Sequence, residues 1–202
     1  MKALLWLNST PPSSTLVEEL VESAELLVGV DGGADLASNM GFQVDLILGD
    51  MDSLGGVYSE AEYVSLKDQN SSDLTKSILY LSERGYDEVD VVGIEGGEVA
   101  HQLGIMGSLA EAPMQVSIKL HTDESLILRV CPSEAPKEVE VNIGDIFSIF
   151  ALRNCDSISV SGGKWTFADE SLSLSTKGLH NVADSSKLSI DTDGVVILIL
   201  NR

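Results

Sequence analysis

Asp50 and Asp52, set one residue apart in Gly49-Asp50-Met51-Asp52-Ser53, and Asp73 about twenty residues on are the side chains of this sequence best placed to do chemistry. The first two follow an apolar run that reads as a strand, and the third opens a helical pattern. Carboxylates in such positions supply the oxygen ligands that a hard divalent cation takes. They raise the expectation of a metal-dependent reaction. One acid after a strand is ordinarily a loop or cap residue, but two acids flanking Met51, with Gly49 and Ser53 beside them, are less easily assigned to that role.

Two further segments could serve such a reaction. Asp31-Gly32-Gly33-Ala34 reads as a turn opening a helix, where glycines let backbone amides approach a phosphate at the positive helix end. A structural tight turn accounts for the same residues. In the helix starting near Ser72, Ser71 or Ser72 suits the N-cap, and Leu74, Ile78 and Leu81 form a buried stripe. Asp73 and Lys76 share another face. They form either a surface ion pair worth well under about 1 kcal/mol or a metal ligand beside a phosphate-binding lysine. Lys2, Lys67 and Lys76 are the only cations before residue 84, so an anionic ligand here has few alternatives.

The elements that must position these residues alternate regularly in the first part of the chain. Apolar runs at 3–7, 26–30, 45–48, 63–66, 89–94 and 116–120 read as buried strands, and helical patterns fall at 14–24, 34–40, 72–84 and 99–111. This rhythm predicts a parallel sheet covered on both faces. Ligands to such sheets bind beyond the carboxyl ends of the strands. The Asp31 turn, the Asp50 segment and the loop Gly93-Ile94-Glu95-Gly96-Gly97 should therefore converge.

From about residue 122 the helical period gives way to short alternating stretches at 126–130, 138–141, 146–152, 157–160, 171–175, 187–190 and 195–200, with turn pairs such as Gly162-Gly163 and Asp193-Gly194. These suit an antiparallel sandwich or barrel. The expected fold is thus α/β, a Rossmann-like parallel-sheet nucleotide-binding domain over residues 1–121 followed by an all-β sandwich domain over 122–202.

Composition narrows the function classes. The formal charge of −20, from 32 acids against 12 bases, repels phosphate backbones and anionic membrane surfaces, so neither nucleic acid nor membrane is an expected partner. No apolar run approaches the roughly 20 residues needed to span a bilayer. Met1-Lys2-Ala3-Leu4-Leu5-Trp6 enters a strand without a cleavage-site pattern, which favours a cytoplasmic protein. Cys131 and Cys155 lack metal-site spacing and read as small buried apolar residues.

Three segments together resemble the thiamine pyrophosphokinase family in order and spacing: Asp31-Gly32-Gly33-Ala34, Asp45-Leu46-Ile47-Leu48-Gly49-Asp50-Met51-Asp52-Ser53, and Gln69-Asn70-Ser71-Ser72-Asp73-Leu74-Thr75-Lys76. Gly162-Gly163-Lys164-Trp165 resembles the family's Gly-Leu-Lys-Trp/Tyr segment, and Gly178-Leu179-His180-Asn181 sits where the family has a Ser-Asn pair. The resemblance implies a homodimer that transfers the diphosphate of ATP to the hydroxyl of thiamine, releasing AMP. By position, Asp50, Asp52 and Asp73 would hold Mg²⁺ and serve catalysis with Lys76. Gly32, Gly33 and Lys76 would steady the phosphates, with Asp31, Ser53, Ser72, Gly96 and Gly97 beside them. Trp165 and Asn181 would meet the thiamine, the indole offering a flat face to a cationic heterocycle.

The chain departs from the family pattern in one segment above all. Where a Gly-Gly-Arg-x-Asp-His run followed by Asn is usual, it has Gly96-Gly97-Glu98-Val99-Ala100-His101 and then Ile105. An inward Glu98 would repel a triphosphate. His180 and Val182 also replace the family's serine and a frequent acid. A pterin diphosphokinase, or a homologue that binds nucleotide or thiamine without turnover, fits the same residues.

Overall fold

The structure is a computed structural model that describes residues 1–51 and 54–202, so Asp52 and Ser53 lie outside the described residues. The chain divides into two compact units, Met1–Asp123 and Glu124–Arg202.

The first unit contains β1 (Lys2–Trp6), α1 (Ser14–Ser23), β2 (Leu26–Val30), α2 (Gly33–Asn39), β3 (Leu46–Gly49), β4 (Glu62–Ser65), α3 (Asp73–Ser82), β5 (Glu88–Val92), α4 (Val99–Glu111) and β6 (Ser117–His121). Its strands lie in the order β6-β5-β1-β2-β3-β4 and pair in parallel throughout. Ala3, Leu4, Leu5 and Trp6 of the central strand are fully buried, so side chains on both faces of the pleat are covered, as a parallel sheet requires. Leu4 and Trp6 join Val17 and Leu20 of α1 and Ala34 and Ala37 of α2 in one core. β4 is the exception to the expected burial. It ends the sheet, pairs with β3 alone among the described residues, and leaves Tyr63 exposed.

The second unit contains β7 (Ser125–Val130), β8 (Lys137–Glu140), β9 (Ile146–Ala151), β10 (Cys155–Ser161), β11 (Phe167–Leu172), β12 (Asn181–Val182), β13 (Lys187–Thr192) and β14 (Val196–Asn201). Two antiparallel sets, β12-β9-β14-β7 and β11-β10-β13-β8, form the sandwich. Between them pack Leu128, Phe147, Ile149, Ile158, Val160, Leu188 and Leu198, the inward members of each period-two alternation. The segment expected at 171–175 begins earlier, at Phe167, because register shifts against β10 break the alternation that marks a strand in sequence. Cys131 and Cys155 are free thiols buried in this unit. No described helix is long and apolar enough to cross a membrane.

Candidate functional site

The carboxyl ends of the parallel strands place their loops around one cleft of about 340 Å³, lined among others by Asn8, Asp31, Ser72, Asp73, Gly96 and Gly97. Each segment has a local reason for its place. Asp31 leaves β2 with its amide bonded to Leu48 O at 2.9 Å and a left-handed φ of 48°. Its Oδ1 accepts from Met51 N at 3.2 Å. A Cβ at Gly49 would lie 1.7 Å from that oxygen, so only glycine lets the Asp50 segment close onto Asp31. Asp35 of α2 ties down the following loop, accepting from Gly55 N at 2.6 Å, Gly56 N at 2.9 Å and the Tyr58 hydroxyl. Burial pushes the Asp35 carboxyl up, yet these donors outweigh it and hold it below the usual carboxylate range.

Asp73 enters from α3. The Ser72 hydroxyl caps that helix by accepting from Thr75 N at 3.1 Å, an interaction worth about 1 kcal/mol. Asp73 comes within hydrogen-bonding reach of Asp31, and Asp50 adds its charge. Partial burial, foremost, and then these two neighbours push Asp31 from 3.8 to about 6, against the lowering effect of the Met51 amide. A concentration of hard oxygen donors whose charges oppose one another is suited to a divalent cation. Among the described residues no group of three or more acidic, histidine or cysteine side chains stands so that it could hold a metal ion, and Asp52 lies outside the described residues.

Several expected residues sit differently. Lys76 does not line the cleft: its Nζ donates to Leu66 O at 3.0 Å and Asp68 O at 2.9 Å and pairs with Asp73 Oδ1 at 2.6 Å. Its three N–H groups are thus engaged with Asp73 and the preceding loop. Gly32 and Gly33 do not line the cleft either. A Cβ at Gly33 would stand 1.9 Å from Trp6 O, and one at Gly32 would stand 2.5 Å from the Asn8 side chain. Close packing of α2 against the first strand therefore accounts for Gly33, while Gly32 lies against the side chain of Asn8, a residue of the cleft lining. Gly96 and Gly97 do line it, with φ of 76° and 70°, a backbone that turns the loop in front of α4 and strains any other residue.

The departures from the family pattern also separate in space. Glu98 is the exposed N-cap of α4 and stands outside the cleft lining, whereas Ala100, His101 and Ile105 line it. Asn8 and Ser9 were not singled out from the sequence. They follow the end of β1, and the rule that nominated the other loops would have found them.

In the second unit Trp165 is 54 % exposed, with Lys164 Nζ 4.9 Å from its ring centroid. Asn181, expected to meet a ligand, is 3 % exposed and fully engaged. Its Oδ1 accepts from Trp165 N at 3.1 Å and Val182 N at 2.9 Å, and its Nδ2 donates to Trp165 O at 2.6 Å. Asn181 thus brackets the backbone of Trp165. His180 beside it is exposed and left-handed, at φ 56°.

The model of the family "Thiamin pyrophosphokinase, catalytic domain" matches residues 17–121, more than half of the chain. No curated protein sequence matches. Among solved structures, thiamine pyrophosphokinase from Bacillus subtilis is 19 % identical with a TM-score of 0.79, covering 100 % of this chain and 99 % of that one. Thiamin pyrophosphokinase from Candida albicans is 14 % identical with a TM-score of 0.77, covering 99 % and 89 %. A probable thiamine pyrophosphokinase from Staphylococcus saprophyticus is 23 % identical with a TM-score of 0.71, covering 100 % and 99 %. At these identities the structural matches speak for the fold.

Proposed function

The chain belongs to the thiamin pyrophosphokinase family, and from that premise we propose that it transfers the diphosphate of ATP to the hydroxyl of thiamine or a closely related heterocyclic alcohol. The alcohol oxygen bonds to the β-phosphorus, the bond from that phosphorus to the oxygen bridging to the α-phosphorus breaks, and AMP leaves with the bridging oxygen. The hydroxyl proton is released to water. The observation that carries the reading is the meeting of Asp31 and Asp73 in one cleft at the carboxyl ends of parallel strands, with the charge of Asp50, outside the cleft lining, acting on Asp31.

Asp73 and Asp50, joined by Asp52 on the ground of its place in the sequence, would hold Mg²⁺. When bound, the ion supplies charge neutralisation to phosphate oxygens. The chain's own residues do the rest. Lys76 and the Ser72 cap fix the direction of Asp73, Asp31 ties the Asp50 segment to β2, and the left-handed Gly96 and Gly97 leave one wall of the cleft without side chains. Trp165 offers one indole face to the heterocycle while Lys164 occupies the neighbourhood of the ring. A cytoplasmic homodimer belongs to the same proposal, and sedimentation at micromolar concentration tests the dimer.

A specific observation favours a second reading, a binding protein without turnover. Ala100 and Ile105 give the cleft two apolar side chains where the family pattern has an acid and an amide. The readings part in one assay. Purified protein with MgATP and thiamine yields AMP and thiamine diphosphate under the first, and Asp50→Asn or Asp73→Asn abolishes the yield. Magnesium-dependent nucleotide binding with no AMP release across a panel of heterocyclic alcohols supports the second.

A further inference from the structure

We propose that Asn8 contacts the nucleotide, its side-chain amide donating to a phosphate oxygen, and that residue 32 is glycine to leave that amide its place. The inference rests on the diphosphotransfer reading and extends it to a residue that precedes the segment matched by the family model.

A cleft that takes a triphosphate needs donors. No lysine or arginine lines this one among the described residues, so neutral groups must supply them. Most of the neutral side chains are spent within the protein. Ser9 Oγ donates to Glu95 O, Gln102 Nε2 donates to Gly96 O at 3.1 Å, and the Ser72 and Ser108 hydroxyls bond each other at 2.7 Å. Asn8 differs from these. It is exposed in the cleft lining, and among the described residues its carboxamide has no hydrogen-bond partner.

The backbone of Asn8 is nevertheless held on both sides. Leu7 N donates to Val92 O and Thr10 N to Glu95 O, each at 2.9 Å, which binds the chain leaving β1 to the loop leaving β5. Between them Ser9 N donates to Leu7 O at 2.9 Å, closing a three-residue turn with Asn8 at its tip. Gly32 sets the room for the side chain. Its φ of −59° and ψ of −6° are open to any residue, so the backbone does not call for glycine. The three heavy atoms nearest to a Cβ built there are Nδ2, Cγ and Oδ1 of Asn8, at 2.5, 2.7 and 2.9 Å. The carboxamide thus lies over Gly32, in the same cleft as Asp31 and Asp73. An amide donor suits a phosphate oxygen there, because it brings no positive charge to compete with the cation that carboxylates hold.

The test is calorimetry on the purified protein with Mg²⁺ and an ATP analogue carrying a methylene between the α- and β-phosphorus, with melting temperature read beside it. Asn8→Ala is expected to weaken analogue binding about tenfold or more and to melt within about 1 °C of wild type, having no internal partner to lose. Asn8→Asp keeps the shape, exchanges the donor for a second acceptor, and is expected to weaken binding further. Gly32→Ala is expected to weaken binding about tenfold in wild type and no more than about twofold in the Asn8→Ala background, where its methyl has no carboxamide to displace. The loss of a residue preferred before a helix is common to both backgrounds and cancels in that comparison. Unchanged binding in Asn8→Ala, binding by Asn8→Asp as tight as wild type, or an equal loss from Gly32→Ala in both backgrounds overturns the inference alone. A drop of several degrees in the melting temperature of Asn8→Ala does so too, because the amide would then be engaged within the protein. Wild-type protein that binds no magnesium nucleotide overturns the diphosphotransfer reading, and the inference with it.

Discussion

Asp31→Asn isolates the electrostatic cost of the carboxylate cluster. Asparagine keeps the oxygen that accepts from Met51 N, tolerates the left-handed φ of 48°, and replaces the protonated acid isosterically toward Asp73. In the folded protein the Asp31 carboxyl rises from 3.8 to about 6. Because the folded value exceeds the unfolded one, the native state binds the extra proton. Stability from this group is complete below about pH 4 and is lost as the pH rises through about 6. The full shift corresponds to about 3 kcal/mol, and the side chain's partial exposure screens this to about 1 kcal/mol. In EDTA at pH 8 the variant should therefore melt about 2–4 °C above wild type, and at pH 4.5 the two should nearly coincide. In saturating Mg²⁺ the order at pH 8 should reverse or close, since the variant lacks one charge that attracts the cation. Differential scanning fluorimetry across pH, with and without metal, reads all of this. A variant less stable than wild type at pH 8 in EDTA, or a difference independent of pH, would refute the reasoning.

Other outcomes follow from single contacts. Lys76→Met should destabilise by about 2–3 kcal/mol, because it leaves Asp73 and two loop carbonyls without their buried partner, and urea unfolding measures it. Asn181→Ala removes three hydrogen bonds around Trp165 and should lower thiamine affinity about tenfold while MgATP affinity, by calorimetry, holds. Glu98→Arg should change MgATP affinity by no more than about threefold, since this exposed side chain stands outside the cleft; a large gain would show that it faces the phosphates. Gly33→Ala should cost about 2 kcal/mol or more, because its methyl would meet Trp6 O at 1.9 Å, and thermal melting checks it.

The parallel half was legible because each buried strand is an apolar run bounded by turn residues, as at Leu26–Val30, and each helix carries a stripe such as Leu74, Ile78 and Leu81. Where pattern and environment part, reading failed. Tyr63 and Val64 look like core residues, but position at the sheet edge, which no local pattern encodes, exposes Tyr63. β12 is two residues long and has no period to detect, yet it carries Asn181. Type and spacing singled out Asp31 and Asp73, which line the cleft, and equally Asp50, which does not. The engagement of Lys76 with Leu66 O and Asp68 O was not legible, because a lysine's partners depend on where a loop carbonyl points. Gly33 illustrates the same limit: glycine signals a need for closeness without saying whether phosphate or a neighbouring strand is what comes close.

The most direct measurement of the central claim is ³¹P NMR of purified protein incubated with MgATP and thiamine. The account predicts that AMP and thiamine diphosphate appear in equal amounts, without accumulation of ADP, and that Asp50→Asn or EDTA stops both. Intact ATP after prolonged incubation with thiamine and its heterocyclic analogues, in protein that demonstrably binds MgATP, would contradict it.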